Sequence, residues 1–110
     1  MKTLFLVFFC IFCNLANADD LSNALALGQD KLANGYYREA EQHFTFAENL
    51  AKQNNDAYDL TLVKALQGYL ILQRQQYQQA ETVLTEALTE AKKQSWHDLI
   101  VRIDLYLAQL

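Results

Sequence analysis

The 110-residue chain has no proline, three glycines and two cysteines. Proline interrupts helices and central strands, so its absence allows long uninterrupted elements. Both cysteines, Cys10 and Cys13, lie in an apolar run near the N-terminus. If that run is removed after synthesis, the remaining chain has no thiol, which excludes disulfides, thiol catalysis and thiolate metal sites.

The N-terminus has the pattern of an export signal. Lys2 precedes an apolar run at 4–15, and Ala16-Asn17-Ala18 offers the small residues that a signal peptidase needs. A helix of 12 residues spans about 18 Å, whereas the hydrocarbon core of a bilayer is about 30 Å thick. We therefore expect a signal peptide at 1–18, cleavage after Ala18, and a periplasmic or secreted protein.

Two other interpretations of this segment are weaker. A retained N-terminal anchor would keep the apolar run in place. A lipoprotein signal requires a small residue before the modified cysteine, but Phe9 and Phe12 precede the two cysteines.

Charge excludes two classes of partner. The chain has a net charge of −4, and Lys2 is the only charged residue of the segment 1–18, so cleavage leaves −4 − 1 = −5. An acidic chain lacks the basic surface that nucleic acids and anionic lipids require. We expect no nucleic acid partner and, after cleavage, no membrane.

A tandem repeat is visible when segment 28–54 is aligned with segment 68–94. The comparison gives 9 identities in 27 positions, where ordinary residue usage gives about two. The matched pairs are Gly28/Gly68, Leu32/Leu72, Tyr37/Tyr77, Ala40/Ala80, Glu41/Glu81, Thr45/Thr85, Ala47/Ala87, Ala51/Ala91 and Lys52/Lys92.

Apolar residues within each repeat recur every three or four positions, which is the period of a helix. The sequence thus predicts an all-α fold of tandem antiparallel helical hairpins. The five predicted helices span about 20–34, 37–54, 57–75, 77–94 and 96–110.

Local signals place the helix breaks. Asn34-Gly35 is a turn dipeptide, Asn54-Asn55-Asp56 separates the second helix from the third and supplies an N-cap, and Ser95 with Asp98 has the spacing of a capping box. The break at Gln75-Gln76 is placed only by analogy with the first repeat.

Packing roles are expected for the matched small and aromatic residues. Tyr37 and Tyr77 would fill space near the hairpin turns, and small side chains would let neighbouring helices approach closely. The small residues are Ala40, Ala47, Ala80 and Ala87.

These positions resemble the tetratricopeptide repeat (TPR) family, which has a small residue early in helix A and a tyrosine opening helix B. The two matching sets are Gly28–Tyr37–Ala40–Phe44–Ala47 and Gly68–Tyr77–Ala80–Leu84–Ala87. The resemblance covers 19–110, with repeats at about 21–54 and 57–94 and a half repeat or capping helix at 96–110.

The chain departs from the family pattern in three ways. Its period is 40 rather than 34, which resembles an extended variety of the repeat, and it lacks the closing proline. Ala24 and Lys64 occupy the usual tryptophan position.

The resemblance implies a concave groove, lined by the A helices, that binds a helix or an extended apolar segment of another protein. The candidate binding residues are Leu25, Gln29, Leu32, Leu62, Tyr69, Leu72, Gln73, Arg102 and Leu105, with Ser22, Ala65 and Gln109. The basic set of the carboxylate-binding version is absent, so capture of a C-terminal carboxylate is doubtful. The leucines could instead belong only to the core.

Candidate catalytic groups are few. Glu39 and His43 are one turn apart and could share a metal, but a third ligand is missing. Ser95, His97 and Asp98 are neighbours in sequence, which does not make a catalytic triad. We expect no catalysis, no cofactor and no metal site.

Three functions compete. The first is an exported interaction scaffold without catalytic activity. The second is a docking or sensor segment of a larger exported enzyme, and the third is an assembly factor for envelope machinery. The final stretch, Tyr106 to Leu110, is apolar, so the last helix either caps the fold and supports dimerisation or binding, or belongs to a longer chain.

Overall fold

The computed structural model describes residues 20–110. It confirms the predicted all-α fold: this part of the chain forms five helices arranged as neighbouring antiparallel hairpins. The helices are α1 (20–33), α2 (Tyr37–Gln53), α3 (Ala57–Gln73), α4 (Tyr77–Gln94) and α5 (His97–Leu107). The expected signal peptide, its cleavage site and both cysteines lie outside the described residues.

The four connections between helices share one backbone geometry. Each contains a residue with positive φ, and these residues are evenly spaced along the chain, at Gly35, Asn55, Gln75 and Ser95. In the first turn the N–H of Tyr36 donates to the carbonyl of Lys31 at 2.9 Å. Equivalent backward hydrogen bonds occur in the other three turns, which is the pattern of a Schellman C-cap.

One helix cap was predicted correctly and one was not. An N-cap from Asn54-Asn55-Asp56 was expected, and the structure assigns it to Asp56, whose carboxylate accepts a hydrogen bond from the backbone N–H of Asp59 at 3.0 Å. The capping box at Ser95 is wrong, because Ser95 adopts the left-handed conformation that ends α4 and Trp96 takes the N-cap position of α5. Asp98 instead accepts a hydrogen bond from Tyr58.

α3 lies at the centre of the described region. It packs against α2 on one side and α4 on the other, and it also touches α5. In the described part, no Cα atom of α2 lies within 8 Å of a Cα atom of α4. One core cluster joins α1, α2 and α3, and a second joins α3, α4 and α5. α3 is therefore apolar on more than one face, as expected for a helix covered on several sides.

The matched small residues allow close helix approach, as the sequence predicted. A Cβ added at Gly28 would overlap the ring of Phe44, and one added at Gly68 would lie 2.7 Å from Leu84 Cδ2. Gly28 and Gly68 occupy equivalent positions of the two repeats, and so do Phe44 and Leu84. The four alanines expected to pack, at positions 40, 47, 80 and 87, are at most 1% exposed.

The two matched tyrosines behave differently, so the prediction for Tyr77 is wrong. Tyr37 packs against the first core cluster, whereas Tyr77 is 51% exposed. Tyr37 lines a surface cleft, described below, that Tyr69 of α3 also lines. The repeat places Gln109 in the position equivalent to Tyr69, and Gln109 lies beyond the end of α5 at Leu107. Tyr77 thus lacks an equivalent aromatic neighbour.

Candidate interaction cleft

A cleft of about 460 Å³ lies at the C-terminal ends of α1, α3 and α5. Its lining combines apolar, tyrosine and amide side chains, and no charged residue of the described region belongs to it. The lining residues are Gln29, Leu32, Ala33, Asn34, Gly35, Tyr37, Leu66, Tyr69, Gln73 and Tyr106. Such a surface suits an uncharged segment, since an unpaired charge loses hydration when it is covered.

Stacked tyrosines form one wall of this cleft. The rings of Tyr69 on α3 and Tyr106 on α5 lie 4.4 Å apart between centroids and 18° from parallel. Arg102 Nη1 donates to the Tyr106 hydroxyl at 3.4 Å. The stacked pair is one of the contacts between α5 and α3. Because one of the two rings belongs to α5, this wall of the cleft forms only when α5 packs against α3.

Amide side chains supply the polar part of the cleft. Asn34 Nδ2 donates to the Asp30 carbonyl at 2.9 Å and satisfies a carbonyl near the end of α1. Gln29 Nε2 donates to the Leu25 carbonyl at 3.2 Å. An amide has two donor hydrogens and an acceptor oxygen. Asn34 Nδ2 also lies 3.5 Å from Asp30 Oδ1, so Asn34 retains its acceptor oxygen, and Gln29 retains one donor hydrogen and its oxygen. Gln73, half-buried, adds a third amide.

Two ion pairs lie on the surface outside the cleft lining. Lys31 lies 3.6 Å from Glu39, and Arg74 donates to Glu41 at 2.9 Å. Exposed ion pairs of this kind contribute little to stability. None of these four residues belongs to the cleft lining, and the charged groups that reach it are Arg102, through Tyr106, and Asp30, through Asn34.

Two carboxyl groups near the start of α3 and α5 have shifted pKa values. Partial burial, with a hydrogen bond to Asp56 and the negative charge of Asp56, raises the pKa of Asp59 to about 6. The hydrogen bond from the Tyr58 hydroxyl, at 2.5 Å, lowers the pKa of Asp98 and raises that of Tyr58. Tyr58 also meets Trp96 edge to face at 5.2 Å. These contacts attach α5 to α3.

Four of the predicted groove residues come together in the cleft: Gln29, Leu32, Tyr69 and Gln73. Leu25 and Leu62 are half-buried beside the core clusters. They lie outside the cleft lining, which agrees with the alternative that some of the leucines belong to the core.

The remaining candidates lie elsewhere. Leu72 is 5% exposed in the core, and Ala65 is fully buried beneath α4. Arg102 reaches the cleft only through its hydrogen bond to Tyr106. Leu105 is 63% exposed on another face of α5. Ser22 and Gln109 are exposed and do not line the cleft.

Sequence reasoning missed Tyr106, Tyr37 and Leu66 as lining residues. Tyr106 follows the buried Ile103 at a spacing of three. This spacing indicates that the two side chains share a face of α5, but it does not indicate which other helix that face contacts. Leu66 has the equivalent register in α3, one repeat earlier. Aligning the repeats would have shown that Leu66 and Tyr106 occupy equivalent positions, which would have made both of them candidate lining residues.

Two of the five catalytic candidates are engaged in structural contacts. Glu39 pairs with Lys31, and Asp98 accepts from Tyr58. Residues 20–110 bring no three potential metal ligands together. No helix in this range has both the length and the apolar character needed to cross a membrane.

Comparison with known proteins gives no assignment, since no protein-family profile, curated protein or solved structure matches the chain.

Proposed function

We propose that the protein is an exported, TPR-like interaction scaffold that binds a helix or an extended apolar segment of another protein and has no catalytic activity of its own. The observation that carries the proposal is the uncharged cleft between α1, α3 and α5. Its lining of amides and tyrosines matches a main chain with an apolar side chain better than it matches a small charged substrate.

The chemistry of the lining supports a polypeptide partner. Gln29 and Gln73 can donate to and accept from backbone amides, and Asn34 can accept through its oxygen. Tyr69 and Tyr106 offer a flat aromatic wall of the kind that is enriched at protein interfaces. The same lining has no nucleophile paired with a base, which acyl transfer would need.

A single charge placed in the cleft tests the proposal. Gln73→Glu preserves the size of the side chain but adds a negative charge that a bound apolar segment would have to desolvate. A matched control is Gln78→Glu, at an exposed position in the first turn of α4 and outside this cleft. Both changes alter the net charge equally.

The measurement is site-specific crosslinking in the native host. A photoreactive phenylalanine analogue at position 33, in the cleft, should give one discrete crosslinked partner, and the same analogue at Glu81 on α4 should not. Gln73→Glu should remove most of that crosslink and Gln78→Glu should leave it intact. Equal crosslinking from both positions, or no effect of Gln73→Glu, would contradict the proposal.

Export has a separate test. The mass of the protein isolated from its native host should equal that of residues 19–110, and N-terminal sequencing should begin at Asp19. A retained Met1 would contradict cleavage, and a much larger mass would place this domain in a longer polypeptide.

A further inference from the structure

Side chains of opposite charge reach the two outer sides of the cleft. On the α1 side, Asn34 Nδ2 lies 3.5 Å from the Asp30 carboxylate. On the α5 side, Arg102 Nη1 donates to the Tyr106 hydroxyl at 3.4 Å. One core cluster joins α1 to α3 and the other joins α3 to α5, so α3 lies between the two sides. The lining carries no charge of its own, but its two sides differ in electrostatic potential.

Both of these charges are available to act on a bound group. Among residues 20–110, neither Asp30 nor Arg102 forms an ion pair. Lys31 is the one cation of α1, and it is held 3.6 Å from Glu39. On α5, the Asp98 carboxylate, one turn before Arg102, already accepts a hydrogen bond from the start of α3.

The difference between the two sides comes from side chains and not from the helix ends. α1, α3 and α5 all end at the cleft, and the C-terminal end of every helix carries partial negative charge. This contribution therefore has the same sign across the cleft. Asn34 adds to the effect of Asp30, because its donor hydrogens are engaged and only its acceptor oxygen is left for a ligand.

A helix is the kind of segment whose two ends match this difference. Its first turn has unpaired N–H groups and partial positive charge, and its last turn has unpaired carbonyls and partial negative charge. An extended segment has little net dipole and would gain little from either side. Neighbouring packed helices lie about 8–10 Å apart, so the two spacings from α1 to α5 correspond to about 11–13 residues of a crossing helix.

The helices of the repeat leave this surface open. Four described helices follow α1, yet Gln29 and Ala33 remain exposed. The faces of α1 and α3 that receive the following helix are different ones, where Gly28 lies against α2 and Gly68 against α4. The cleft is thus not a position at which a helix of the repeat packs, and it suits a separate polypeptide.

We propose that the cleft binds a partner helix in one direction, with the N-terminal end of that helix on the α1 side and its C-terminal end on the α5 side. This inference rests on the proposed function, and it adds the form and the orientation of the partner. The partner helix crosses α1, α3 and α5, and an apolar side chain from its middle turn enters the cleft beside Tyr69.

Two crosslinking positions test the direction. The photoreactive phenylalanine analogue at position 33 lies on the α1 side, and the same analogue at position 109 lies one turn beyond Tyr106 on the α5 side. Each variant is crosslinked in the native host, and mass spectrometry identifies the attached residue of the partner. The residue attached from position 33 should precede the residue attached from position 109 by about 11–13 positions in the partner sequence.

Charge-removing variants test the cause of the direction. Asp30→Asn and Arg102→Gln should each lower the yield of the crosslink from position 33 about two- to fivefold. Glu81→Gln and Lys93→Gln remove the same charges at exposed positions of α4 outside the cleft, and they should leave the yield unchanged. Circular dichroism checks that all four variants are folded.

The possible results separate this inference from the proposed function. The reverse order of the two attached residues would overturn the direction alone, and so would equal yields from the cleft variants and their controls. A separation of about 5–6 residues would indicate an extended segment. Attachment from position 33 only, to two different proteins, or within the polypeptide that carries the analogue would also overturn the inference. The absence of a discrete partner from position 33 would contradict both proposals.

Discussion

Replacing Gly28 with alanine should destabilise the protein, although the same change stabilises most helices. In an unobstructed helix interior, alanine is favoured over glycine by about 1 kcal/mol. At position 28 the new methyl group would overlap the Phe44 ring, with Cδ1 only 2.7 Å away. Ordinary van der Waals contact begins at 3.4 Å, so Cδ1 would have to shift by 3.4 − 2.7 = 0.7 Å. Cε1 of the same ring is closer still and would have to shift further.

Phe44 has little room for that movement, because its side chain is fully buried. Overpacking of a well-packed core costs about 1–3 kcal/mol. Subtracting the helix propensity gain leaves a net loss of roughly 0–2 kcal/mol in the free energy of unfolding. In a domain of this size, 1 kcal/mol lowers the melting temperature by about 4–8 °C.

Gly68→Ala is the internal comparison. Its methyl group would meet Leu84 at Cδ2 and Cγ, with Val83 Cγ1 at 3.3 Å. Leu84 is as fully buried as Phe44, but the nearest contact is longer than the one between a methyl group at position 28 and the Phe44 ring. We expect Gly68→Ala to cost less than Gly28→Ala. The difference compares the two degrees of overlap, since both glycines lie in the same register.

Urea unfolding followed by circular dichroism and by the fluorescence of Trp96 provides the measurement. Gly28→Ala and Phe44→Leu, combined in a double-mutant cycle, should show a favourable interaction of about 0.5–3 kcal/mol, because leucine leaves room for the methyl group. A rise in stability for Gly28→Ala alone would refute the reasoning. So would strict additivity of the two substitutions.

Three further predictions concern the turns and the ionisable groups. Gln75→Gly should raise the free energy of unfolding by roughly 1 kcal/mol, because Gln75 has a φ of +64° that glycine adopts without strain; a lower urea midpoint would contradict this. Because the pKa of Asp59 rises to about 6 on folding, stability should fall as pH increases from about 4 to 6 and then level off, and thermal melts of Asp59→Asn should lack that slope. Tyr58→Phe should lower the melting temperature at neutral pH, because it removes the hydrogen bond that lowers the pKa of Asp98. A lowered pKa stabilises the fold fully only above the pKa of the unfolded chain, so the difference in melting temperature should shrink as pH falls below 4. A constant difference down to pH 2 would argue against the hydrogen bond.

The helices were predictable because apolar residues recur every three or four positions along each of them. Many of the residues matched between the repeats are small and lie where two helices touch, so their roles were predictable as well. Gly28 and Ala40 were recognisable from spacing alone. The turn at Gln75 was not recognisable from its own residues, since glutamine does not favour positive φ. The structure places it there because the following helix must return against α3.

The cleft was only partly predictable. Gln29 and Tyr69 could be assigned to it, because they occupy the same register on successive A helices. Tyr106 enters it only through stacking on Tyr69, which depends on the angle at which α5 meets α3. Tyr77 became exposed for a related reason: a periodic sequence does not specify whether the next unit supplies a neighbour.

The identical, evenly spaced turns have a genetic consequence. An in-frame duplication of one repeat that starts at a positive-φ position and ends just before its counterpart, such as Gly35 and Gln75, joins two bends of the same backbone shape. The new junction would form the same Schellman turn. The inserted helix pair would pack against helix faces that already contact an equivalent helix of the other repeat. Lengthening by unequal recombination would therefore cost this chain little, and the bends are the positions at which such exchanges would be tolerated.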